Sequence, residues 1–255
     1  MKKILLSALV LLAAMLPQKA LAWIVPSETL SYEVHYRWGL INANAGVATV
    51  QSELLPGKNL FRARLSGQSV CLLGHYYGAS DMLVGTIMAD TYQPVYNQKI
   101  TEESGAFNIE TVVYNHNADC AEGEVIKTLP NGQQVKSRIS HYAGGVTIDL
   151  LAVFYYMRQL DYQNMQPGQS VRINVFSDKT PEVLTINYVG KETIDFKGQQ
   201  HEVFHITMNF TGQNGGTEVS DAMSALISTS DSRIPLVVNG NLKFGHVHCT
   251  LVSAE

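Results

Sequence analysis

From residue 28 to residue 38 apolar and polar side chains alternate strictly. Leu30, Tyr32, Val34, Tyr36 and Trp38 fall on one face, and Ser31, Glu33, His35 and Arg37 on the other. A period of two belongs to an extended chain with one buried and one wet face, as in an antiparallel sheet. Residues 41–54 follow as its partner, with Gly46 a bulge position. Phe61, Ala63 and Leu65 alternate with Arg62, Arg64 and Ser66 and predict a third strand. The same reading predicts strands over 75–88, 96–102, 107–115 and 124–129. Another, 134–139, follows across Pro130-Asn131-Gly132, and Asn-Gly is a strong hairpin signal. Further strands are predicted over 171–176, 183–189, 192–196, 202–210, 223–228 and 235–251.

One segment breaks the alternation. Leu150, Val153, Phe154, Met157 and Leu160 recur at helical spacing, Thr147 or Asp149 can cap the start, and Pro167-Gly168 lies beyond the end. About a dozen strands with one helix predict a mostly β fold. The expected architecture is a single strongly curved antiparallel sheet, spiral or barrel-like, with one main α-helix against it, because a long flat sheet leaves unpaired edges. No repeat or linker divides residues 23–255, so a single domain is expected there.

The first 22 residues read as a secretory signal. Lys2 and Lys3 precede an apolar run from Ile4 to Leu16, Pro17 breaks it, and Ala20-Leu21-Ala22 has the form that signal peptidase cleaves. The run is short for a membrane span, and no later segment approaches one, so the mature protein is expected to be periplasmic and not membrane-spanning. The 255-residue chain carries a formal charge of −4; removal of three lysines with the signal leaves 15 basic against 22 acidic residues, a charge of −7. That balance argues against nucleic acid as a partner. Cys71, Cys120 and Cys249 all survive cleavage. Export permits one disulfide among them, with the pairing open.

Two segments carry metal-ligand residue types. His201-Glu202-Val203-Phe204-His205 spells the zinc-protease signature, whose chemistry needs a helix to bring both imidazoles to one ion. Here Phe204, Ile206, Met208 and Phe210 alternate with polar residues, which predicts a strand. On a strand His201 and His205 stand about 13 Å apart and Glu202 faces the other way. A zinc-dependent hydrolase is therefore the alternative reading. In His246-Val247-His248 the two imidazoles share a strand face and could meet one metal with help from elsewhere, though such pairs more often mark a polar face. No Walker loop, Rossmann glycine run or nucleophile elbow is present, no carboxylate pair is fixed by spacing, and no cofactor or catalytic residue is assigned.

Tyr76, Tyr77, Tyr92, Tyr96, Tyr155, Tyr156 and Trp38 are placed to line a concave sheet or to fill its core. Arg158 lies beside the helix's apolar stripe, where a guanidinium meets an anionic headgroup or forms an ion pair with Asp161 or Asp81.

The segment Glu28-Thr29-Leu30-Ser31-Tyr32-Glu33-Val34-His35-Tyr36-Arg37-Trp38-Gly39, followed by Ala45-Gly46, resembles the opening of the exported bacterial family of domain of unknown function 3108. So do Tyr155-Tyr156-Met157-Arg158 and the late stretch from Ile227 to Leu236; there Thr229 and Ser230 precede Asp231, a partial match to the family's pattern. Asp81 is similar to an acidic position in the family's fourth strand. The resemblance implies a Gram-negative envelope protein with a curled sheet wrapped on a helix, and no established activity. The expected function is a non-enzymatic module that holds an amphiphile (a lipid), a glycan or an envelope protein, with Tyr36, Trp38, Tyr155 and Arg158 as lining residues. A structural envelope protein acting through a surface patch is the further alternative.

Overall fold

The computed structural model describes residues 27–39, 41–69, 79–103, 106–114, 120–128, 131–142, 146–177, 180–212, 219–241 and 245–255. The signal segment, Cys71, Tyr76 and Tyr77 lie outside these residues, as do the side chains of Trp38 and Cys120.

The first six strands form a meander: β1 (Glu28–Trp38), β2 (Ile41–Leu54), β3 (Leu60–Ser69), β4 (Ala79–Met88), β5 (Pro94–Glu103) and β6 (Ala106–Val113). A separate hairpin, β7 (Cys120–Thr128) and β8 (Gln134–Tyr142), turns at Asn131-Gly132; Asn131 Oδ1 accepts from the Gln133 amide at 3.0 Å. A short β9 (Thr147–Asp149) leads directly into α1 (Leu150–Gln159). The chain then returns through β10 (Ser170–Ser177), β11 (Thr180–Phe196), β12 (Gln199–Gly212), β13 (Val219–Ser228), β14 (Pro235–Asn241) and β15 (His246–Ala254). β1 pairs with both β2 and β15, so the two meanders join into one 13-stranded sheet running from β6 through β1 and β15 to β9. Its strand pairs are antiparallel except β9 with β10.

Thirteen strands cannot stay flat, because each is twisted relative to its neighbour. The sheet curls, and α1 fills the curl: the helix touches β3 and β4 in one meander and β9 and β10 in the other. Tyr114, just past β6, packs against Phe176 of β10 with ring centroids 5.7 Å apart, so the two ends of the sheet approach each other. Gly85 lets the helix sit close, since a Cβ there would stand 3.1 Å from Leu151 Cδ2.

Both helix ends are anchored. Asp149 is the N-cap: its Oδ1 accepts from the Ala152 amide at 2.7 Å and its Oδ2 from Asn97 Nδ2 of β5 at 2.7 Å. Burial pushes this carboxyl above its ordinary range, against the lowering effect of those hydrogen bonds. At the other end Arg233, in the left-handed region at φ +47°, donates to the carbonyls of Arg158 and Leu160. These acceptors are carbonyls that a helix end leaves unsatisfied.

The structure refines several boundaries. Residues 183–196, read as two strands, are one continuous β11, because the register shift between Tyr188 and Gly190 absorbs the break in alternation as a bulge. Residues 235–251, read as one strand, are two, β14 and β15, which fold back on each other with Gly245 at φ +82° where β15 begins. Strand β9 was not foreseen; three residues are too few to show a period. The bulge at Gly46 is present as expected.

Candidate functional site

The inner face of the sheet has two unlike halves. Where α1 lies, inward side chains are sealed: Leu30, Phe61 and Ile87 are 0% exposed, with Tyr32, Tyr92 and Tyr155 also buried. The aromatics meet edge to face, Phe61 with Tyr155 at 5.0 Å and with Tyr92 at 6.3 Å, Tyr32 with Phe154 at 6.5 Å. The phenols find backbone acceptors: Tyr32 donates to the Pro235 carbonyl at 2.9 Å and Tyr155 to that of Gln51 at 3.0 Å. Burial pushes all three hydroxyls well above the usual tyrosine range, Tyr92 up to about 12.

Arg158 closes this half from below. Its side chain is 0% exposed. The guanidinium engages both carboxylate oxygens of Glu28 (Nη1 to Oε1, Nη2 to Oε2 at 3.1 Å). It also donates to the carbonyls of Arg233 at 3.0 Å and Ser232 at 2.8 Å. The carboxylate it meets is thus Glu28 on β1 rather than Asp161 or Asp81, which the sequence suggested; Asp81 is exposed at the start of β4. Sequence distance hid this pairing, because Glu28 and Arg158 are 130 residues apart. The latch also explains the late stretch around Ser232-Arg233: its turn carries the carbonyls that receive Arg158 and the guanidinium that caps the helix.

Further along the same strands the inward side chains are only half-buried. Val34 pairs with Cys249, which pairs with Val238; Tyr36 pairs with Val247 one step nearer the strand end. Leu65 faces Leu83 across β3 and β4, and Met223 continues the wall on β13. Around Tyr36 the wall is aliphatic apart from the Tyr36 phenol and the Cys249 thiol, a free cysteine whose pKa burial raises; past Leu83 the same face carries Asp81 on β4 and Lys99, which pairs with Leu83, on β5. Of the four lining residues predicted from sequence, Tyr36 belongs to this wall, Tyr155 and Arg158 sit in the sealed half, and the Trp38 side chain is outside the described residues.

The outer face carries a second feature, which the sequence showed only in fragments. Two cross-strand rows run over β2, β1, β15 and β14: Asn44, His35, His248, Asn239 in one and Asn42, Arg37, His246, Asn241 in the next. Each β15 imidazole is oriented by an asparagine. His248 Nδ1 lies 2.6 Å from Asn239 Oδ1, and His246 Nδ1 lies 2.6 Å from Asn241 Oδ1. His35 Nε2 stands 3.5 Å from Glu33 Oε2. The alternation placed His35 with Arg37 and His246 with His248; only the β1–β15 pairing puts them side by side.

The zinc-protease signature lies on β12, so the helix its chemistry requires is not formed. His201 stacks edge-on against Phe196 at 5.7 Å, His205 Nδ1 is 3.4 Å from Glu192, and Glu202 pairs with Lys191 at 3.3 Å. Among the described residues no three His, Cys, Asp or Glu side chains are gathered as a metal centre.

The architecture defines a class: one large curled, barrel-like, mostly antiparallel sheet wrapped on one helix. A β-barrel-like protein of domain of unknown function DUF1849 from Brucella abortus shares it with a TM-score of 0.57 at 8% identity, covering 91% of this chain and 98% of that one. A DUF1089 family protein from Pseudomonas aeruginosa gives a TM-score of 0.36 at 11% identity, covering 79% of this chain and 94% of that one. Residues 31–252 match the family described as protein of unknown function DUF3108, nearly the whole chain, and the protein belongs to that family. No curated protein matches the sequence. Among the described residues no helix is long and apolar enough to cross a membrane.

Proposed function

We propose that this protein is a non-enzymatic module of the Gram-negative periplasm, a single exported domain that holds the acyl chain of an amphiphile. The supporting observation is the half-buried wall of Val34, Tyr36, Val238, Val247 and Cys249. It is the inward apolar surface that α1 does not cover, on strands whose other ends are fully sealed. A concave aliphatic surface with no charged side chain among these residues suits a hydrocarbon chain rather than a sugar, which would leave its hydroxyls unpaired there.

The test uses the exported chain purified from periplasm. Native mass spectrometry should show a retained apolar molecule. Adding palmitate to delipidated protein should slow maleimide modification of Cys249, read by peptide mass spectrometry. No retained molecule together with an unchanged Cys249 rate would refute the reading.

A further inference from the structure

The outer face holds a second site of different chemistry. The groove over β1, β2, β14 and β15 has a volume of about 480 Å³ and is lined by His35, Arg37, His246, His248, three asparagines and Val247, with no carboxylate among these residues. Neighbours within a row stand about 5 Å apart and successive rows about 7 Å. Arg37 faces His246 directly and His35 faces His248. Basic groups opposite one another destabilise a sheet when charged, so folding alone does not reward this arrangement. An anion between them reverses the sign.

The donors are also prepared. Arg37 and Asn42 make no side-chain hydrogen bond or ion pair among the described residues, so a planar five-donor fork is available. Asn239 Oδ1 and Asn241 Oδ1 accept from the Nδ1–H of His248 and His246, which leaves each Nε2 facing the groove, a donor to an anion when the ring carries its second proton. Asn239 is itself fixed, its Nδ2 donating to Ser224 Oγ at 3.0 Å. Among the described residues of the two rows and the position beside them, β1 brings Glu33, His35 and Arg37, β15 brings His246 and His248, and β2 and β14 bring asparagines. Glu33, the acid beside the rows, is taken by Asn44 and lies beside His35.

We propose that this array binds a phosphate group, with Arg37 as the forked donor and the imidazoles of His246 and His248 as the second arm. The groove is large enough for the organic part of a phosphoester as well. The site stands on the opposite face of the sheet from the aliphatic wall and does not depend on it.

The test is a titration of the mature chain with glycerol 3-phosphate, following the histidine ring signals by NMR. The signals of His35, His246 and His248 should move, and those of His201 and His205 should not. Arg37→Gln should weaken binding about tenfold or more, as for loss of a charge-assisted hydrogen bond. Arg62→Gln, a surface change away from the groove, should leave it intact. Co-sedimentation with phosphatidylglycerol vesicles, against phosphatidylcholine alone, separates the sources. Binding to vesicles that Arg37→Gln abolishes assigns a lipid headgroup, and binding to glycerol 3-phosphate alone assigns a soluble phosphoester. No response of the three histidines to either probe, an equal response in Arg37→Gln, or a response to zinc alone overturns the proposal.

Discussion

The two arginines at opposite ends of the first strand's reach, Arg158 and Arg37, show what the curl of the sheet does to one kind of side chain. Arg158 is sealed, bidentate to Glu28 and bonded to two carbonyls; Arg37 is exposed, without a partner among the described residues, on a face of imidazoles. The same split separates the inner surface. Beneath α1 the inward residues are closed and interlocked, and beyond it they are half open. The first region spends its polar groups on holding the helix in the curl, and the second leaves surface unspent. Binding chemistry is expected only where packing has not used the groups up.

The largest expected effect tests the sealed region. Arg158→Ala strands the Glu28 carboxylate and should cost about 3–5 kcal/mol in urea unfolding, whereas Arg158→Met with Glu28→Leu should cost far less than either single change. If the single change costs no more than a surface substitution, the latch is not structural. Phe61→Ala should likewise lose about 3–5 kcal/mol, while Val34→Ala, inward on the open half, should lose under about 1.5 kcal/mol. Equal losses would erase the contrast between the halves.

A smaller effect belongs to the cap. Asp149→Ala should cost about 1–2 kcal/mol. Because burial raises the folded pKa of Asp149, its protonated form favours folding below the unfolded value, and that contribution fades as pH rises toward the folded one. Stability relative to Asp149→Asn should therefore decline as pH rises above about 4. A difference that grows with pH would reverse the assignment. The smallest effect is kinetic: burial raises the Cys249 pKa, so its thiol should react with maleimide more slowly than a free thiol at neutral pH and gain rate on alkalinisation.

The alternation of Leu30, Tyr32, Val34 and Tyr36 was enough to place β1 and its wet and dry faces, and the spacing of Leu150, Val153, Phe154 and Met157 enough to find α1. The strand character of His201–His205 was equally legible, because β-branched and alternating residues surround the motif. The change of apolar parity between Phe244 and Val247 pointed to Gly245, but a parity change fits a bulge within one strand as well as a turn between two, and only the antiparallel pairing of β14 with β15 shows that the chain reverses there. The role of Arg158 was out of reach, because nothing local points from residue 158 to residue 28.

By itself, then, the sequence determined the dry and wet faces of regular strands such as β1, since those depend only on the two-residue period of a chain that must bury one side; on α1 it did not, because Leu150 of the expected stripe is 45% exposed while Leu151, Tyr155 and Arg158 are buried inside the curl, which wraps more than one side of the helix. Only the tertiary structure decided which strands are neighbours. The joining of β1 to β15 turned two dipeptide-spaced pairs into one array, and the placing of α1 across half the curl divided the inner face into a sealed core and an open wall. Those outcomes come from long-range pairing and from where one helix fits, and no local period encodes either.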